Sequence, residues 1–156
     1  MDKTRLLAQI VATLEHDLDV LTRAAQTAYE AATAEENIAE NKYDTLGLEA
    51  SYLATGQARR SAEIRTALQT YQQLLLRDHD PARGVQMSNL VTLEDEDGGQ
   101  RRVFLGPEAA GLKIGEGDGL VTVITPRSPL GQQLLGKHVD DELRLGPQTL
   151  LIVAVA

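Results

Sequence analysis

A chain of 156 residues, 42% hydrophobic and 3% aromatic with no Trp, is long enough for one medium domain or two small ones. The absence of Cys excludes disulfides and thiolate metal sites. The net charge of -8, divided as -4 over residues 1–78 and -4 over 79–156, gives neither half the basic footprint of a nucleic-acid-binding module. Charge enters too early in the N-terminal MDKTRLLAQIVATLEHD for a signal peptide or membrane span, so a soluble, cytoplasmic protein with no membrane partner is expected.

From Thr4 the apolar positions Leu7, Ile10, Leu14, Leu18 and Leu21, then Ala24, Ala28 and Ala31, keep the alternating three- and four-residue spacing of a coiled-coil seam. No Pro or Gly intervenes before Gly47, so the pattern predicts a helix to about Asn41. A second seam, Ala50, Leu53, Gln57, Ile64, Leu68, Tyr71 and Leu75, ends near Arg77, because Asp78-His79-Asp80-Pro81 is a poor helix and a good linker. Two helices of similar length with a short connection fold back as an antiparallel hairpin, with its tip near residues 41–48. Gly56, inside the second helix, costs about 1 kcal/mol against Ala unless something packs closely there.

The tip gathers Glu35, Glu36, Glu40, Asp44 and Glu49 around a single Lys42. Carboxylates at a helix C-terminus meet the negative end of the macrodipole, so they need solvent, a cation or a partner. The plainer reading is that Asp44 or Thr45 caps the second helix and Glu49 sits in its first turn, where a carboxylate is favourable. Arg59 and Arg60 are the basic pair of this half, read either as an RNA contact or as surface charge.

After the linker the period changes to two. Val85–Leu93 alternates, Glu94-Asp95-Glu96-Asp97-Gly98-Gly99 turns, and Arg101–Leu105 returns, which predicts a hairpin. The acids of that turn lack the EF-hand spacing and read as a solvated loop. Gly115–Gly119 lacks the GxGxxG spacing and reads as a turn into a strand at Leu120–Thr125. Ser128 is a good N-cap, Pro129 suits the first helical position, Leu130, Leu134 and Leu135 supply an apolar face, and Gly136 ends the helix. Strands at Glu142–Leu145 and Thr149–Val155 flank a Gly146-Pro147 turn. His16, His79 and His138 have no ligand spacing and are expected at the surface. The fold class is therefore α+β: an N-terminal antiparallel helical hairpin over residues 1–78, a linker at 79–83, and a small antiparallel sheet domain with one short helix over 84–156.

The segment SPLGQQLLGKHVDDELRL at Ser128–Leu145 resembles the C-terminal signature of the bacterial Gre-type transcription elongation factors: Ser-Pro, an apolar pair, Gly-Lys, then acids before a strand. Ala50-Ser51-Tyr52-Leu53-Ala54 is similar to the family's Ala-Glu-Tyr-His-Ala. The resemblance implies a protein that is not itself an enzyme and is monomeric. Its FKBP-like C-terminal domain would bind RNA polymerase, with Ser128, Pro129, Leu130, Gly136 and Lys137 in the partner-binding segment, partly for structural reasons. The coiled coil would enter the secondary channel, meeting nascent RNA and DNA only within the elongation complex. Acids at the tip would hold a Mg2+ jointly with the polymerase, which then cleaves backtracked RNA.

On that resemblance Asp44 and Glu49 are the expected cleavage acids and Mg2+ ligands, with Glu40 a third candidate. The family's tip reads Gly-Asp-Leu-Lys-Glu-Asn-Ala-Glu-Tyr. Here Asp44 matches the first acid, but Asp44 to Tyr52 is one residue longer, which places Leu48 at the second acidic position and Glu49 beside it. An alternative is a secondary-channel regulator that does not cleave and instead modulates transcription or competes with cleavage factors. A third reading is a coiled-coil chaperone or scaffold whose FKBP-like domain isomerises prolyl bonds. Against it stands the single aromatic residue of the second half, Phe104.

Overall fold

The computed structural model describes residues 2–36 and 43–156, with side chains described outside 32–54. Helix α1 spans Lys3–Glu36 and α2 spans Tyr43–Gln72. Asp2 caps α1: its carboxylate accepts from the Thr4 N–H at 2.9 Å and its carbonyl from the Leu6 N–H at 3.0 Å. A carboxylate there also meets the positive end of the helix dipole.

Contacts divide the chain into two compact units, Val11–Gln69 and Met1–Ile10 with Thr70–Ala156. In the helical unit Leu14, Ile64 and Ala67 are buried, Leu18 and Leu21 are half-buried, and Ala24 and Ala28 are exposed. The seam therefore thins as its residues shrink from Leu to Ala, because each loses apolar area that removal from water would stabilise at about 25 cal/mol per Å2. The buried register on α1 is Leu6, Ile10, Leu14; Leu7, expected to open the seam, is half-buried. Four-residue steps keep Leu6 on the Ile10 face, whereas Leu7 lies a further 100° or so round the axis.

Helix α2 stops at Gln72, short of the expected Arg77. Beyond it the Leu74 N–H still reaches the Tyr71 carbonyl at 3.2 Å, but Arg77 is bonded to residues distant in sequence. The Arg77 N–H donates to Ser88 Oγ at 2.8 Å, while Lys3 Nζ donates to the Arg77 carbonyl and, at 3.1 Å, to the Ser88 carbonyl. Burial holds the Lys3 ammonium below its usual pKa, opposed by the nearby Asp78 charge. Leu75, expected in the seam, is consequently outside the helix and 80% exposed.

The sheet comprises β1 (Leu90–Glu94), β2 (Gln100–Leu105), β3 (Lys113–Ile114), β4 (Val121–Ile124), β5 (Glu142–Leu145) and β6 (Gln148–Val155), with the short helix α3 (Pro129–Leu134) between β4 and β5. Their order is β3-β4-β2-β1-β6-β5. The sheet is mixed, not antiparallel throughout, because β2 and β4 pair in parallel, Arg102 with Val121 through Leu105 with Ile124. Residues 106–120 provide the long crossover that a parallel return needs. They also contribute β3, a two-residue strand that the alternation does not reveal. The first strand begins at Leu90, later than the expected Val85, since Val85 already donates to the Lys137 carbonyl at 2.8 Å and Ser88 adopts a left-handed φ of 70°.

Both sheet faces are buried. Val91, Leu93, Val103, Leu105, Ile124, Leu143, Leu150 and Ile152 form one core with Leu130 and Leu134 of α3. Leu90, Phe104, Val121 and Val123 lie on the other face, also buried. Within the same unit Leu6, Ile10 and Tyr71 are buried too. The Tyr71 hydroxyl donates to the Glu108 carbonyl at 2.6 Å, and burial pushes its phenol pKa well above the usual value. The acidic turn between β1 and β2 is held internally: Asp95 Oδ1 accepts from the N–H groups of Asp97 at 3.0 Å and Gly99 at 2.8 Å.

Candidate functional site

The segment Ser128–Lys137 is built by its own sequence grammar. Ser128 Oγ accepts from the Gly131 N–H at 3.2 Å and donates to the Thr125 carbonyl at 2.7 Å, which caps α3 and ties it to the end of β4. Pro129 follows at the first helical position, where no N–H is needed. Leu130 and Leu134, four residues apart, enter the core. A Cβ at Gly131 would overlap the Thr125 carbonyl oxygen, so only glycine lets α3 lie this close to the chain it follows.

Gly136 has φ 78° and ends α3 as expected. Its N–H then donates to the Val85 carbonyl at 2.9 Å, and Val85 returns a bond to the Lys137 carbonyl at 2.8 Å. Gly84 crosses so closely that a Cβ there would stand 2.5 Å from the Gly136 oxygen and 2.6 Å from that of Lys137. Of the five residues expected to meet a partner, Ser128, Leu130 and Gly136 are thus committed to the fold. Pro129 and Lys137 are exposed.

Sequence reasoning missed Arg127 and Val139 beside this segment, and it placed Leu135 on the buried apolar face of α3, where the structure leaves it exposed. Arg127, directly before the cap, pairs with Glu108 at 3.2 Å and brings the loop after β2 beside it. Leu135 and Val139, 41% and 42% exposed, add apolar surface after α3. Arg-Ser-Pro at a helix start was the available signal for Arg127; Leu135, one place beyond the buried Leu134, is turned about 100° from it and past the end of the helix.

The acidic end is placed by α2. The helix begins at Tyr43, so Asp44 and Thr45 lie inside its first turn, not at the N-cap. Glu49 follows five positions later, about 140° round the axis at 3.6 residues per turn. Asp44 thus stands in the first turn, at the favourable end of the dipole, whereas Glu49, expected in that turn, lies in the second and Glu36 is the last residue of α1. As backbone positions on one helix, however, Asp44 and Glu49 do not share a face. Glu40 and Lys42 lie outside the described residues, as do the side chains of Glu35, Glu36, Asp44 and Glu49. Further along α2, Arg59 and Arg60 are exposed, and Arg60 pairs with Glu63 at 3.5 Å, a surface contact contributing about 0–1 kcal/mol.

Among the described residues no three His, Asp or Glu side chains converge as a metal site, and no helix is long and apolar enough to cross a membrane. His79 differs from the expected surface histidine: it is half-buried, with Nδ1 buried. His16 and His138 are exposed, and His138 Nδ1 lies 3.9 Å from Asp141.

Neither a family model nor a curated relative matches the sequence. Among solved structures the chain is similar to the GreA factor homolog 1 (Gfh1) protein of Thermus thermophilus, at 21% identity over 94% of each chain with a TM-score of 0.40. It is similar to Gfh1 of Thermus aquaticus at 20% identity, 92% of each chain and a TM-score of 0.36. A third, the prokaryotic transcription elongation factor GreA/GreB from Nitrosomonas europaea, matches at 22% identity over 64% of this chain and 78% of that one, with a TM-score of 0.37.

Proposed function

We propose that this chain is a Gre-type factor that binds RNA polymerase through its sheet unit and presents the start of α2 in the polymerase's secondary channel, stimulating cleavage of backtracked RNA. The observation that carries the reading is the Ser128–Lys137 segment. Its family-like Ser-Pro and Gly-Lys residues fold as a capped helix that leaves Pro129 and Lys137 exposed. Binding and chemistry are then divided between the two units. The FKBP-like character of the sheet unit and its use as the docking module belong to the same proposal, as do a monomeric state and a cytoplasmic location.

In this reading Asp44 is the principal acid and Glu49 its companion, both acting inside the polymerase's active site. A Mg2+ held jointly with the polymerase would supply Lewis acidity and an activated water. This chain's own contribution is a carboxylate oxygen, the ligand type that Mg2+ prefers. Arg59 and Arg60, several turns back along α2, are positioned to meet nucleic acid only inside the complex.

The helical placement of Asp44 and Glu49 favours a second reading, a channel factor that occupies the same route without cutting. One experiment separates the two. Purified protein is added to stalled, backtracked elongation complexes in Mg2+, with binding followed by co-sedimentation. RNA shortening that Asp44→Ala abolishes while binding persists supports the cleavage reading. Tight binding without shortening supports the second, and no binding to core polymerase overturns both.

A further inference from the structure

Strand β5 is the outermost strand of the sheet, and an exposed edge is a template for pairing with another chain. The β5–β6 hairpin joins Leu145 to Gln148 across a two-residue turn, with Leu143 opposite Leu150. In such a hairpin the turn-flanking pair is hydrogen-bonded, so Leu143 and Leu145 direct their backbone groups to β6. The N–H and C=O of Arg144 and Glu142 face outward. Gln133, on α3, occupies that edge: its Nε2 donates to the Arg144 carbonyl at 2.8 Å and its Oε1 accepts from the Arg144 N–H at 3.2 Å. One side-chain amide thereby makes both bonds that a neighbouring strand would make at this residue.

We infer that the outer edge of β5 is a self-pairing surface for a second copy of this chain, held closed by the Gln133 amide.

The occupant follows from register and charge. Antiparallel pairing about a twofold axis at Leu143 sets Glu142 of each copy directly opposite Arg144 of the other. Both are outward-facing backbone positions, so both pairs are hydrogen-bonded ones. Glu142 and Arg144 also lie together on the exposed face of β5, so the twofold makes two cross-strand pairs of opposite charge. A one-residue slip would place like charges or buried leucines in those positions. A cavity of about 630 Å3 bordered by Gln133, Leu135, Leu143 and Arg144 leaves room beside the strand. The pairing is independent of the proposed polymerase partner and uses neither Ser128 nor Pro129.

The test is light scattering of the full chain over a concentration series, with circular dichroism to confirm that each variant is folded. Gln133→Ala and Gln133→Met should both raise the weight-average mass towards twice that of the monomer, where the wild type stays monomeric. Adding Arg144→Glu to either should abolish association by opposing two carboxylates, and further adding Glu142→Arg should restore it. Hydrogen exchange gives a second readout: the Arg144 N–H should be protected in the wild type, lose protection in dilute Gln133→Met, and regain it as that variant associates. Monomeric Gln133 variants at every concentration, association indifferent to Arg144→Glu, or an Arg144 N–H unprotected in the wild type would each overturn the inference.

Discussion

Gly106 and Tyr71 offer a test of how the end of α2 is fixed in the sheet unit. A Cβ added at Gly106 would overlap the Tyr71 hydroxyl, with Tyr71 Cζ at 3.1 Å and Val123 Cγ1 at 3.3 Å behind it. That hydroxyl is the donor to the Glu108 carbonyl, and Tyr71 is fully buried. Tyr71→Phe removes one hydrogen bond and should cost about 1 kcal/mol. Gly106→Ala must displace the ring from a close-packed site, at about 1–3 kcal/mol, and breaks the same bond, for a total of about 2–4 kcal/mol. In the double variant the bond is already gone and the worst overlap with it, so the two costs should fall short of their sum by about 1–2 kcal/mol. Independent sites add to within about 0.5 kcal/mol, so the shortfall is measurable. Native-state hydrogen exchange at Phe104 and Val123 reads the sheet unit directly, and urea unfolding supplies the global figure. Additivity within that error would refute the claim that Gly106 is small because of the tyrosine hydroxyl.

Three further outcomes follow from the same geometry. Ser128→Ala removes the α3 cap and should lower stability by about 1 kcal/mol in thermal melts, without unfolding the sheet. Gly131→Ala drives a Cβ into the Thr125 carbonyl, where backbone cannot yield as a flexible side chain would; it should cost about 3 kcal/mol, and a melt unchanged from wild type would refute the close approach of α3 to Thr125. For Tyr71 the native pKa is raised, so its contribution is complete below the unfolded value near pH 10 and is lost as pH rises above it. Urea midpoints should fall in that alkaline range, and Tyr71→Phe should flatten the fall by up to about 1.4 kcal/mol per pH unit.

The sequence was most legible where one local rule decides the outcome. Ser128-Pro129 with Gly136 located α3 to within a residue, because cap, proline and left-handed glycine each act through backbone groups nearby. The β5–β6 hairpin was legible for the same reason. The failures are non-local. Leu75 kept the heptad step but lies beyond α2, because Lys3 and Ser88, distant in sequence, take the hydrogen bonds of Arg77. The parallel β2–β4 pair depends on how residues 106–120 cross, which alternation within each strand cannot report. Gly131, which no local rule singled out, is a point of close approach to the Thr125 carbonyl. For the candidate site the Ser128–Lys137 segment was legible as a motif, yet its division into buried Leu130 and exposed Pro129 and Lys137 required the packed core.

The acidic end turns on two glycines in α2. A glycine in a helix interior costs about 0.5–1 kcal/mol against alanine, largely from backbone entropy. A Cβ at Gly56 meets nothing within 4 Å, so no packing accounts for that glycine, and Gly56→Ala should stabilise the helical unit by up to about 1 kcal/mol while leaving polymerase binding and RNA cleavage unchanged. Gly47 stands between Asp44 and Glu49, where the helix sets the two acids on different faces. If both acids must serve one site, the first turns of α2 have to open, and Gly47, which carries no Cβ, is the residue there with the widest choice of backbone conformation. Gly47→Ala then penalises the opened form. It should leave binding intact, raise helix stability as Gly56→Ala does, and depress cleavage several-fold, a loss that Gly56→Ala does not share. Cleavage that survives Gly47→Ala but not Asp44→Ala would mean that Asp44 works alone from an intact helix, and the requirement for Glu49 would be refuted.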